Sequence, residues 1–182
     1  SGNNNKITLA ANYGETSTHQ LPDGSEVILN ANSAVTLNEA WTKESDREVW
    51  LKGEAFFHVT KTLDRKKFIV HTDHFDVIVT GTKFNVVNRN GQSNVMLNEG
   101  SVIIKTANGN ETKMDPGEFV EFKNEKALKR MAKSDSVLAW REKRLVFENT
   151  PLSEVVTIIK DHYGVNVELA DASVSDKTIS GM

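Results

Sequence analysis

Five histidines, His19, His58, His71, His74 and His162, are the first residues to weigh for metal or acid–base chemistry. Only His71-Thr-Asp-His74 forms a close pair. Residues three apart on a strand face opposite sides, so the pair converges only through a turn at Thr72-Asp73 and would draw a third ligand from elsewhere. A polar hairpin turn is the plainer reading. The close grouping of inward-facing His and Glu that a cupin-type barrel enzyme needs is missing. So is the Gly-x-Ser-x-Gly elbow that would strain a serine into a nucleophile. Glu54, Glu99 and Glu118 could supply a carboxylate pair for glycoside hydrolysis, but each adjoins a turn glycine and reads as an exposed turn carboxylate. Neither a glycine-rich phosphate loop before a helix nor a Walker lysine is present. Trp41, Trp50 and Trp140, with eight Phe, could line a sugar-binding platform through their apolar faces. Trp50 and Phe56 hold core-like strand positions, so Trp41, following Asn38-Glu39-Ala40 at a strand end, is the one expected to be exposed. The residues therefore assign no catalytic centre, no metal and no cofactor, and the chain is expected not to be an enzyme.

Charge narrows the partners. Twenty-two Lys and Arg against twenty-five Asp and Glu leave a net charge of -3, without the positive field that neutralises phosphates, so nucleic acid is not expected. The basic clusters Lys61, Arg65, Lys66, Lys67 and Lys126, Lys129, Arg130, Lys133 are interrupted by acids and read as solvated loops. Without cysteine, disulfides and thiolate chemistry are excluded together, in any compartment. Ser1-Gly2-Asn3-Asn4-Asn5 carries no initiator Met and no apolar signal core, and no apolar run reaches the ~20 residues of a membrane helix. At the other end Lys177-Thr178-Ile179-Ser180-Gly181-Met182 reads as a strand just begun. The chain is expected to be a fragment cut at both ends.

The elements that would position any site are mostly strands. From Lys6 to about Phe122 short β-type runs alternate with Gly, Asn and Asp. Strands are expected at Glu26–Asn30, Ala34–Asn38, Arg47–Leu51, Ala55–Thr60, Phe68–His71, Phe75–Thr80, Phe84–Asn88, Asn94–Asn98, Val102–Lys105 and Glu118–Phe122. Pro22, Asp23 and Gly24 should reverse the chain before Glu26, and Asn90-Gly91 and Asn108-Gly109 are hairpin signals. Gly53, Gly81, Gly100 and Gly117 each stand as a turn glycine before an apolar strand. Their unequal spacing leaves two arrangements open, a twisted, imperfect β-solenoid and a sandwich.

After Lys123 the composition changes. Residues 124–144 are expected to be a linker holding one short helix, capped by Ser134 or Asp135, with a short strand Leu145–Phe147 after it. Thr150 then reads as an N-cap and Pro151 as the first helical residue. Leu152, Val155, Val156, Ile159 and Tyr163 share a helical face, and Gly164 can take the left-handed stop. Val165, Asn166, Val167, Glu168 and Leu169 alternate as a half-buried strand. Four segments follow: a lead-in over 1–20, a β domain over 21–123, the linker, and the first part of a small α/β unit over 145–182.

Several motifs occur in an ordered set: Leu21-Pro-Asp-Gly-Ser-Glu-Val-Ile-Leu-Asn30, Arg47-Glu-Val-Trp-Leu-Lys-Gly-Glu-Ala-Phe-Phe-His-Val59, Phe68-Ile-Val-His-Thr72 and Val77-Ile-Val-Thr-Gly-Thr-Lys-Phe-Asn-Val86. Val95-Met-Leu-Asn-Glu-Gly-Ser-Val102 and Met114-Asp-Pro-Gly-Glu118 complete it. The set resembles the FecR family of anti-sigma regulators, although Lys67 stands where that family often has Pro. Trp140, Leu145-Val-Phe-Glu-Asn-Thr-Pro-Leu-Ser-Glu-Val155 and Tyr163-Gly-Val165 resemble the C-terminal domain of Bacteroidetes members, similar to the secretin/TonB short N-terminal fold. The resemblance implies a single-pass inner-membrane protein with this part in the periplasm, and a membrane helix and a cytoplasmic segment upstream of Ser1. That segment would hold an extracytoplasmic-function sigma factor, and the signalling domain of a TonB-dependent outer-membrane transporter would deliver the signal. Strand addition along Val165–Leu169 is the expected mode of contact. The other reading left open is an extracytoplasmic glycan-binding β module built on Trp41.

Overall fold

A computed structural model describes residues 5–39, 41, 45–123 and 126–182. The strands of the β body are β1 (Lys6–Ala11), β2 (Ser17–Gln20), β3 (Glu26–Leu29), β4 (Ser33–Asn38), β5 (Arg47–His58), β6 (Phe68–His71) and β7 (Phe75–Val79). They continue with β8 (Lys83–Arg89), β9 (Gln92–Glu99), β10 (Val102–Thr106), β11 (Glu111–Met114), β12 (Glu118–Lys123) and β13 (Lys126–Met131). Strands β3, β4, β6 and β7 alternate buried and half-buried residues, as in the sequence Ser33-Ala-Val-Thr-Leu-Asn38, because successive side chains on a strand face opposite ways and only one face meets the core.

All thirteen strands join one sheet folded on itself nearly into a barrel. One layer runs β1-β4-β5-β6-β7-β10-β11 and the other β2-β3-β5-β8-β9-β12-β13, so β5 belongs to both. Its first half pairs with β4 and β6, and its second half with β3 and β8. Every pairing in the body is antiparallel except β5 with β6. A solenoid stacks parallel rungs, so of the two arrangements left open the layered one is taken.

Gly53 is the hinge of this arrangement. Expected as a turn ahead of a strand, it instead lies inside β5, where it joins the two expected runs into one. Its φ of 99° is closed to most side chains, and a Cβ there would sit 2.4 Å from Ser33 Oγ. The long strand can thus change layers while its backbone passes directly over β4.

Between the layers the core is apolar and aromatic. Phe57 stacks on Phe84 at 5.2 Å and meets Phe68 edge-on at 5.9 Å. Burial of each such ring is worth about 1.5–3 kcal/mol. Trp41, expected at the surface, packs edge-on against Phe68 at 5.9 Å and joins the rim of the core. The glycan-platform reading thereby loses its anchor.

Other expectations are corrected as well. The expected lead-in carries two strands over 6–20, because β1 pairs with β4 and β2 with β3. The linker expected over 124–144 contains β13, an edge strand whose residues are all exposed. The alternation that reveals a half-buried strand is missing there, and Lys126, Lys129 and Arg130 guard the edge against foreign pairing. No helix of the described residues is long and apolar enough to cross a membrane.

Candidate functional site

A small α/β unit closes the chain. It comprises the short helix α1 (Ser134–Val137), a 3-10 turn at Ala139–Glu142, β14 (Phe147–Pro151), α2 (Leu152–Tyr163), a second 3-10 turn at Ala172–Val174 and β15 (Thr178–Gly181). Strands β14 and β15 pair antiparallel as a two-stranded sheet. The expected cap of α2 moves by one residue: Pro151, with φ -58° and ψ 143°, holds the N-cap position, and no side chain caps the helix. The backbone carbonyls of Lys177 and Ser175 instead accept from the Leu152 and Ser153 amides at 2.8 and 3.1 Å. The segment just ahead of β15 thus does what a capping side chain does elsewhere, which leaves Thr150 free to pair with Ile179. Gly164 ends α2 in the left-handed conformation, φ 69°.

The expected strand Val165–Leu169 does not form. Val165, Asn166, Val167, Glu168 and Leu169 belong to no strand, with Val165 46% exposed and Val167 and Leu169 half-buried. Alternation is present, but among the described residues no strand lies alongside to complete a ladder. Tyr163, expected on the apolar face of α2, is 50% exposed. Its ring neighbours Gly14 instead, while Tyr13 lies against Gly164 so closely that a Cβ there would be 2.8 Å from the Tyr13 ring.

This second contact belongs to the seat of the unit on the β body. The Gly14 amide donates to the His162 carbonyl at 2.7 Å, and the Asn90 amide side chain donates to the Asp161 carboxylate. Arg141 lies over the Phe56 ring at 4.0 Å. Between these contacts lies a cleft of about 230 Å³, walled by β8, β9 and β12 on one side and by the α1 region and α2 on the other.

At the floor of the cleft stands Glu54, which leaves β5 beside Gly53. Asn30 and Asn85 each donate a side-chain N–H to one of its carboxylate oxygens, both at 2.9 Å. Burial holds the Glu54 carboxyl above the usual carboxylate range, against the opposing pull of these bonds and of nearby Arg89. Trp140, 5% exposed, forms a wall. Its indole N–H is near enough to favour the charged form of Glu54 but makes no hydrogen bond of normal geometry. Arg89 Nη2 donates to the Ala31 carbonyl at 3.0 Å and to Ser33 Oγ at 2.7 Å. Burial, and secondarily Arg89, hold the His162 imidazole below its ordinary value.

Sequence reading missed this constellation because Asn30 follows β3, Glu54 lies in β5, Asn85 and Arg89 lie in β8, and Trp140 lies in what was expected to be a linker. The one local signal was a carboxylate, Glu54, inside an apolar strand. Among the remaining expected site residues, the turn Pro22-Asp23-Gly24 closes with the Gly24 amide donating to the Leu21 carbonyl at 2.9 Å. Asp23 also accepts from buried Arg47 at 2.5 Å. Gly81, Gly100 and Gly117 precede β8, β10 and β12, and Pro151 holds the N-cap position of α2. His71 lies between Asp76 at 2.7 Å and Glu48 at 3.2 Å, stacked on Trp50, while His74 is exposed in the turn. Among the described residues no group of His, Cys, Asp or Glu is arranged to hold a metal ion.

The chain is thus a two-layered β body carrying a small docked α/β unit. The family model for FecR protein matches residues 7–103 and that for FecR, C-terminal matches residues 144–182, and the chain belongs to the FecR family. Two crystal structures, both of a putative anti-sigma factor from Parabacteroides distasonis, resemble it. The first, at 2.50 Å, has a TM-score of 0.86 and 31% identity over 97% of this chain and 83% of that one. The second, at 1.65 Å, has a TM-score of 0.87 and 31% identity over 96% and 83%. No curated protein matches.

Proposed function

We propose that this chain is the signal-receiving portion of a transmembrane anti-sigma regulator, a binding protein and not an enzyme, which lies on the periplasmic side of the inner membrane. Its partner is the signalling domain of a TonB-dependent outer-membrane transporter. The full-length protein is membrane-anchored, and its cytoplasmic segment passes the signal to an extracytoplasmic-function sigma factor. Membership of the FecR family and likeness to the Parabacteroides distasonis structures support the regulatory role.

The observation that carries the partner reading is the open edge of the C-terminal unit. Among the described residues β15 pairs only with β14, so its other edge presents unpaired amides and carbonyls beside Ile179, 37% exposed. Val165–Leu169 likewise belongs to no strand. An incoming strand can add its backbone to such an edge and take its specificity from alternate side chains. Calorimetric titration with the cognate transporter's signalling domain tests this. Saturable binding is expected, and Val165→Asp or Ile179→Asp should weaken it about tenfold or more, as for loss of an apolar anchor, while the melting temperature holds. Absence of binding by the folded protein, or binding indifferent to both substitutions, refutes the edge as the contact.

A further inference from the structure

The cleft beneath the C-terminal unit contains more polar capacity than its own residues use. Two side chains that line it, Arg89 and Trp140, hold buried nitrogens, Nε and Nε1, that have no hydrogen-bond partner among the described residues. Both belong to side chains that act on Glu54. Each Glu54 oxygen accepts one amide N–H, and so keeps accepting capacity, since an ionised carboxylate offers about four sites. Buried polar groups are satisfied in native structures almost without exception, so this concentration points to a guest.

The kind of atom left over identifies the guest's chemistry. Unused donors on Trp140 and Arg89 stand beside unused accepting capacity on Glu54. A carboxylate or phosphate offers only acceptors and would meet Glu54, while an ammonium offers only donors and would meet Arg89. Hydroxyl groups both donate and accept, and they match the mixture. Glu54 and Arg89 carry opposite charges, so the floor also favours a neutral molecule. Phe119, Trp140 and Phe147 supply apolar wall, and Gln92 and Asn94 add amides. Aromatic faces beside a few convergent polar groups are what a sugar ring, with its C–H face and its hydroxyls, requires. The volume of about 230 Å³ is room for roughly eight water-sized groups, the scale of one ring.

We propose that this cleft, floored by Asn30 and Glu54 and walled by Trp140, binds a neutral polyhydroxylated small molecule of about monosaccharide size. The site lies under the seat of the C-terminal unit, so its occupant would bridge that unit and the β body. It does not depend on the strand edge of the proposed transporter contact, and either can fail alone.

Saturation-transfer NMR and calorimetry on the intact chain test the inference, with D-galactose, D-mannose, N-acetylglucosamine and myo-inositol as probes and acetate, phosphate and ethylammonium as charged controls. At least one neutral polyol should bind saturably and raise the melting temperature, because a ligand held only by the native state stabilises it. Trp140→Phe retains the ring and deletes the N–H, and Asn94→Ala alters the wall alone. Each should weaken binding about tenfold or more without unfolding the protein. Three results overturn the proposal. They are no polyol binding to the folded protein, which means that the cleft takes water only, preference for a charged control, and polyol binding unchanged in both variants.

Discussion

Arg47 is the most demanding single position of the β body. Its side chain is 3% exposed, and its guanidinium donates to Asp23 Oδ2 at 2.5 Å and to the carbonyls of Thr60, Lys66 and Thr80 at 2.8, 2.6 and 3.2 Å. It therefore ties the Pro22-Asp23-Gly24 turn to the loop after β5 and to the ends of the segments flanking β6 and β7. In Arg47→Ala the Asp23 carboxylate loses its counter-charge in a nearly closed site, a change that costs about 3–5 kcal/mol. The three abandoned carbonyls push the loss toward the upper end. For a chain of 182 residues, at roughly 2–4 °C per kcal/mol, the melting temperature should fall by roughly 6–20 °C. Arg47→Lys keeps the charge but cannot span four acceptors, so it should recover only part of the loss. In a double-mutant cycle Arg47→Ala with Asp23→Ala should cost clearly less than the sum of the two, because neither then leaves an orphaned charge. Near-UV circular dichroism against temperature reads all four proteins. A fall of less than about 2 °C for Arg47→Ala, or additive single effects, would show that the network is solvated and not structural.

Further outcomes follow from other sites. Gly53→Ala must tolerate φ 99° and a Cβ 2.4 Å from Ser33 Oγ, and should lose roughly 2–4 kcal/mol in urea denaturation from strain and overpacking; a loss under about 1 kcal/mol would mean that β5 can cross between layers without a glycine. Glu54, with its folded-state pKa raised by burial, binds protons more readily folded than unfolded, so its ionisation costs stability at neutral pH. That cost should fade as pH drops through the folded pKa and be gone below the unfolded value. Wild type should therefore gain on Glu54→Gln as the pH is lowered from neutral into the carboxylate range, and a difference that stays flat would contradict the burial argument.

Much of the β body could be read along the chain. Phe68–His71 is a strand with the expected limits, and most other strands differ from expectation by a residue or two, because alternating burial is written locally wherever one face is dry. Two edge strands with exposed residues were not legible. Strand β13 is exposed along its whole length, and Glu111–Met114 in β11 is largely exposed. Both are held by the ladder they join, which no local pattern records. The same reason hid the second role of Asp23. Turn chemistry explains its place after Pro22, but its pairing with Arg47 joins residues far apart in the sequence.

By itself the sequence determined the absence of cysteine chemistry, the lack of a phosphate-neutralising charge field, the β-rich body and its likeness to FecR. These rest on composition and on patterns confined to a few residues. Only the tertiary structure decided that the sheet folds into two layers through Gly53 and that the seat of the C-terminal unit encloses a cleft. It also decided that Glu54, in sequence a turn carboxylate, is the floor of that cleft. The reason is geometric: Asn30, Glu54, Asn85 and Trp140 become neighbours through strand register and docking, and a buried polar group acquires its energetic meaning only from the partners that meet it there.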